Sequence, residues 1–201
     1  MALLSAFLFK DGIMKLSEKV LNSFKELKSV YALTAVAMLL AIRIIVGIFA
    51  NATMPMFGNL LKLSLNFLPI AVTAALFGPV SAALVGGLGD ILSFFINPAS
   101  GGSYFPGFTL NGILTGIIFG LFLYKNNINL KSVLISQAIN AVFVEVLLSG
   151  YWLYFIYGAG KGDSFMFYLW TRIISEGIKF VPTALLIFVV CKALGKVKIK
   201  R

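Results

Sequence analysis

The chain has 201 residues, 60% of them hydrophobic and only 12% charged, with a mean hydropathy of +0.98. Soluble domains carry about 25% charged residues, so a water-soluble core is excluded and an all-α integral membrane protein is expected. The net charge of +10 sits at the chain ends and in one short loop, the pattern of membrane topology rather than of a nucleic-acid face.

In chain order, residues 13–28 carry Leu16, Val20, Phe24 and Leu27 at helical spacing among lysines. That pattern predicts a short amphipathic helix on the cytoplasmic membrane surface. A spanning helix needs about 20 mostly apolar residues, and six segments qualify or come close. They are residues 30–50, 61–77, 80–96, 108–124, 132–158 and 165–194. Gly78-Pro79 separates the second from the third, because proline suits the first turn of a new helix. The expected organisation is a cytoplasmic N-terminal segment (1–29), a six-helix membrane domain (30–195) and a basic cytoplasmic tail (196–201).

Six spans put both termini on one side. Lys10, Lys15, Lys19, Lys25 and Lys28 precede the first span, Lys192, Lys196, Lys198, Lys200 and Arg201 end the last, and Lys125 and Lys131 flank one loop. The positive-inside rule places all of these in the cytoplasm. The stretch "GGSYFPGFTLNG" (101–112) then falls on the outside, where irregular backbone is tolerated if it lines a cavity.

Ionisable groups inside spans are costly and mark functional sites by default. Arg43, Asp90, Glu145, Arg172, Glu176 and Lys179 all fall within predicted spans, mostly in the outer half. Arg172, Glu176 and Lys179 stand at i, i+4 and i+7, on one helix face. Glu145, Ser149 and Trp152 repeat that spacing, and Phe108, Asn111 and Thr115 make a shorter stripe. Converging stripes would enclose a pocket open to the outside, with an aromatic rim and charged walls. Mutual neutralisation of the charges, outward snorkelling of Arg43 and an interfacial aromatic belt are alternatives.

Ala37 and Ala41 in span 1 form a small-xxx-small pair that lets another helix approach closely. There is no Walker A sequence, so active transport would need energy from a partner. The single cysteine, Cys191, and the lack of histidine leave no cysteine metal site and remove the commonest general base. No cofactor and no metal are expected in this chain, and no catalytic residue is assigned.

Four stretches carry a family resemblance: "FLPIAVTAALFGPVSAALVGGLGDILSFFINP" (67–98), "YFPGFTLNGILTGIIFGLFLY" (104–124), "SGYWLYFIYG" (149–158) and "RIISEGIKFVPTALL" (172–186). Together they resemble the folate group of substrate-binding S components of energy-coupling factor vitamin transporters. The resemblance spans about two-thirds of the chain. It implies a six-helix fold and a vitamin pocket at the extracellular side of the plasma membrane of a bacterium. It also implies docking, through Ala37 and Ala41, onto a transmembrane coupling subunit powered by two ATPase subunits that use ATP. Toppling of the component in the lipid bilayer would release substrate inward. Folate suits the residue types. Tyr104, Phe105, Phe108 and Trp152 can stack on a pterin, Asn111, Asp90 or Glu176 can read its edge, and Arg172 or Arg43 can hold its glutamate tail. Another vitamin (pantothenate, riboflavin, thiamine) is the nearest alternative. A membrane-embedded enzyme using Asp90 after Gly86-Gly87-Leu88-Gly89 is a weaker one, because Asp90 stands alone.

Overall fold

The computed structural model describes residues 17–53, 55–56, 61–62, 65–96, 104–125, 129–158, 160 and 164–195. The expected tail (196–201) and the first part of the expected amphipathic helix, including Leu16, lie outside the described residues, as do Gly101, Gly102 and Ser103.

A helix over 17–26 (α1) precedes five long helices. These are α2 (Val30–Thr53), α3 (Phe67–Ile96), α4 (Pro106–Leu123), α5 (Leu130–Gly158) and α6 (Phe165–Gly195). All five are long and apolar enough to cross a membrane. Ser29 starts α2, its hydroxyl accepting the Ala32 amide at 3.2 Å, as N-cap serines do. Pro106 opens α4 after an extended Phe105, so its missing N–H costs nothing there. Lys125, at φ 53°, sits in the left-handed region just past the end of α4.

α3 is central: 67% of its most apolar stretch is buried, against 22% for α2. It is not a straight rod. Gly78 has φ 86° and ψ −172°, which breaks the helix in its middle. The Cβ position of Gly47 lies 3.0 Å from Asn66 Oδ1 and 3.5 Å from Ser93 Oγ. A straight helix would separate residues 66 and 93 by about 40 Å. The chain therefore folds back at Gly78, and the two arms run antiparallel. This is the turn expected at Gly78-Pro79.

The first arm differs from the expected span 61–77. Leu61–Lys62 pairs antiparallel with Pro55–Met56 as a two-residue β-ladder (β1, Pro55–Met56; β2, Leu61–Lys62), and helix begins only at Phe67. Pro69, in the first helical turn, suits a start there.

α4 lies along the second arm. Its glycines recur every fourth position, and each meets backbone: Gly112 against Gly86, Gly116 against Ala82, Gly120 against Pro79. A methyl group at any of them would collide with main chain. Small residues let helices approach this closely in lipid, where no hydrophobic drive pulls them together.

Near the Gly78 turn, Ala71, Ala74, Phe77, Ala82, Val85, Phe119, Leu123, Val133, Ala184 and Ile187 form the close-packed apolar core. α1 docks beneath it. Ser23 is fully buried, donates to the Phe77 carbonyl at 2.6 Å and accepts from the Val80 amide at 3.2 Å. Lys19 Nζ donates to the Leu121 carbonyl at 2.7 Å. Val20, Leu21 and Phe24 stay exposed. The helix expected to lie on the membrane surface is thus pinned by a serine to the hairpin turn; of its apolar stripe, Val20 and Phe24 face outward while Leu27 packs against the core.

Candidate functional site

Away from that core, toward the α3–α4 and α5–α6 connections, the helices part around a cavity of about 410 Å³. This is within the usual range for small-molecule sites, roughly 300–1,000 Å³. Every long helix contributes to its wall.

α2 supplies Arg43, which is only 6% exposed. Its side chain crosses Gly89 of α3, where any Cβ would strike the guanidinium. Among the described residues, its Nε and Nη1 have no hydrogen-bond partner. Asp90 on α3 lies within its electrostatic reach. A buried guanidinium with open donors is costly by itself and is matched to an anion or a carbonyl oxygen.

α3 supplies Asp90, and its start adds Asn66, Phe67 and Ile70. Asp90 Oδ2 accepts from Thr109 Oγ1 at 2.7 Å, and that hydroxyl is 2.7 Å from Tyr104 Oη. α4 supplies Phe108, Asn111, Gly112 and Thr115. Asn111 is buried and bonded at both ends of its amide. Nδ2 donates to Ser149 Oγ at 2.8 Å, and Oδ1 accepts from Trp152 Nε1 at 3.2 Å. The Asn111 side chain thereby ties α4 to α5.

α5 supplies Gln137, Asn140, Glu145 and Ser149. Residues Asn140–Leu148 form a π-helix, with i→i+5 bonding in place of i→i+4. Ser149 Oγ also bonds back to the Val144 carbonyl at 3.2 Å. Residues 140 and 145 would point about 140° apart on an α-helix. The wider winding of the π segment brings both onto the cavity face. α6 supplies Arg172, Glu176, Lys179 and Thr183, a stripe at i, i+4, i+7 and i+11. Lys179 Nζ is ion-paired with Glu176 Oε1. Glu145 lies within electrostatic reach of Glu176, Arg172 and Lys179.

The cavity wall thus holds six of the nine ligand-binding residues proposed from sequence: Arg43, Asp90, Phe108, Asn111, Arg172 and Glu176. Tyr104, Phe105 and Trp152 do not line it. Phe105 packs against Trp152 with ring centroids 5.3 Å apart, and against Phe108 at 5.9 Å and Phe155 at 6.3 Å. Gly107 makes room for this cluster, since a Cβ there would meet both Phe105 and Trp152. These aromatics buttress Asn111 and Phe108 from behind. Ala37 and Ala41 lie on the exposed face of α2, beside exposed Leu33, Met38, Ile42 and Ile45.

Sequence reasoning had no role for Gln137, Asn140, Thr183, Phe67 or Ile70. Gln137 and Asn140 carry no charge, so they lack the high cost in lipid that marks the ionisable residues. An amide pair at i, i+3 inside an apolar span was the available signal. Thr183 continues the Arg172 stripe by one more turn.

Comparison with known proteins accords with this geometry. The family model for the substrate-specific component of ECF transporters matches residues 31–191. A folate transporter FolT of Clostridium novyi (strain NT) is 30% identical over 173 residues, which cover 86% of this chain and 95% of that protein. A folate transporter FolT of Leuconostoc mesenteroides subsp. mesenteroides is 25% identical over 147 residues, or 72% of this chain and 75% of that one. A crystal structure of FolT bound with folic acid is 26% identical and superposes with a TM-score of 0.67, covering 86% of this chain and 96% of that chain.

Proposed function

The chain belongs to the substrate-specific components of ECF transporters, and from that premise we propose that its cavity captures folate. As a member of that family it is a multi-pass membrane protein and a transport component, not an enzyme. The observation that carries the folate reading is the composition of the cavity wall. It joins cations that make no ion pair within 4 Å among the described residues, Arg43 and Arg172, to buried amides, carboxylates and an aromatic face. Folate needs these together: a flat heterocycle with hydrogen-bonding edges and a dianionic glutamate tail.

In this reading Phe108 stacks on the pterin. Asn111, Asp90 and Glu176 read polar edges of the ligand. Arg172, toward the α5–α6 connection, holds the glutamate tail, with Arg43 as the second cation. Phe105 and Trp152 fix Phe108 and Asn111 from behind, and Tyr104 holds Thr109 beside Asp90.

The fold-back at Gly78 supports six crossings, since each arm of α3 then traverses separately. An even number with lysines clustered at the α1 end supports cytoplasmic termini, with residues 1–29 as a cytoplasmic segment, 30–195 as the membrane domain and 196–201 as a basic tail. The cavity then opens outward in the plasma membrane of a bacterium. The exposed small residues Ala37 and Ala41 offer α2 to a coupling subunit. Two partner ATPases supply the energy from ATP, and this chain needs no cofactor.

The test is a competition series on the purified chain in detergent, read by tryptophan fluorescence. Folic acid is expected to displace pantothenate, riboflavin and thiamine and not to be displaced by them. Preference for any of those three over folic acid would reassign the vitamin.

A further inference from the structure

At the floor of the cavity, α5 contributes two amide residues to the wall. Gln137 and Asn140 are each only 4% exposed. Among the described residues, Gln137 Oε1 and Asn140 Oδ1 are buried with no hydrogen-bond partner, and both residues line the cavity. They stand at i and i+3, so their side chains lie on one face, one turn apart. Their depth follows from their neighbours. Gln137 is one turn from Val133, Thr115 one turn from Phe119, and Thr183 adjoins Ala184, and Val133, Phe119 and Ala184 all belong to the apolar core.

A buried carbonyl oxygen without a donor is destabilising, and native proteins leave few of them. Two together, on neighbouring residues that both line one cavity, point to a ligand that brings two N–H donors. We propose that Gln137 and Asn140 form an acceptor pair that reads adjacent N–H groups on the ligand's heterocycle and sets specificity for that edge. The inference rests on the folate reading and deepens it. Folic acid carries a ring N–H at N3 beside the 2-amino group, a side-by-side donor pair. The tail cations cannot distinguish such an edge from another flat ring. The amides can, because a ring lacking one donor leaves a buried oxygen unpaired.

Aminopterin is the probe. It shares the tail and the ring outline with folic acid, but a 4-amino group replaces the 4-oxo group, and N3 becomes an acceptor at neutral pH. Binding of both compounds is measured on the full chain in detergent. The intact protein is expected to favour folic acid by at least about tenfold. In Gln137→Met and Asn140→Leu, which keep volume and remove the amide, that preference is expected to fall below about threefold. Asn140→Asp, which keeps acceptor oxygens only, is expected to retain it. Equal binding of the two compounds by the intact protein would overturn the inference even if no variant folds. So would an unchanged preference in both amide-free variants, or its loss in Asn140→Asp. Tight folic acid binding with no such preference sinks the acceptor pair alone, whereas absence of folic acid binding by the intact protein sinks the folate reading and this inference with it.

Discussion

At the scale of single residues, the cavity is a set of polar groups whose partners have been arranged or withheld. Asn111 is committed to Ser149 and Trp152, Glu176 to Lys179 and Asp90 to Thr109, while two nitrogens of Arg43 have no partner among the described residues. Arg172 makes no ion pair within 4 Å among the described residues. Charge-assisted hydrogen bonds are worth roughly 1.5–3 kcal/mol each. Arg172→Ala should therefore weaken folic acid binding about tenfold or more. A loss of less than about twofold, measured by calorimetry, would remove Arg172 from the ligand. Trp152→Phe should act indirectly. It removes one bond to Asn111, worth about 0.6 kcal/mol between membrane helices, so a binding loss above about tenfold would make Trp152 a direct contact. The charged residues on the wall were readable in the sequence because intramembrane charge is rare and expensive. Gln137 and Asn140 were less so: uncharged amides at i and i+3 in an apolar span also suit ordinary helix packing, and only their unpaired oxygens, among the described residues, set them apart.

At the scale of elements, helix existence followed from apolar run length, and α4 starts two residues before the expected span, at Pro106. The reversal at Gly78 was marked by the Gly-Pro pair between two apolar runs, each close to the length of a span. Gly78 is left-handed in φ, and an alanine there would also press on Ser23 at 2.8 Å and Tyr124 at 3.2 Å. Gly78→Ala should destabilise the chain by at least roughly 1–2 kcal/mol, seen as a lower unfolding temperature in detergent. An unchanged temperature would mean the turn relaxes without cost. The π segment of α5 was invisible for a physical reason: the hydrophobic pattern of residues 140–148 fits a 3.6-residue period nearly as well. It nonetheless decides that Glu145 shares a face with Asn140. The spacing reading placed Glu145, Ser149 and Trp152 on one stripe, and the first two line the cavity while Trp152 reaches it only through Asn111. The docking of α1 through Ser23 likewise left no trace in periodicity, since one small polar residue can face water or a carbonyl equally well.

At the scale of the whole molecule, the fold separates two jobs along its length. One end is a dry core of alanine, valine and phenylalanine around the Gly78 turn, and the other is a polar cavity among the same helices. α2 is the least buried of the long helices and presents Ala37 and Ala41 on its free face. Substituting both with tryptophan should leave folic acid binding by the purified chain intact and abolish uptake in cells that carry the energising subunits. Loss of binding would instead place those alanines in the internal packing. The central claim is that this cavity holds one folate. It is tested most directly by calorimetric titration of the intact chain in detergent with folic acid. Saturation is expected at one folic acid per chain with a Kd below about 1 μM. No saturable binding at that concentration would contradict it.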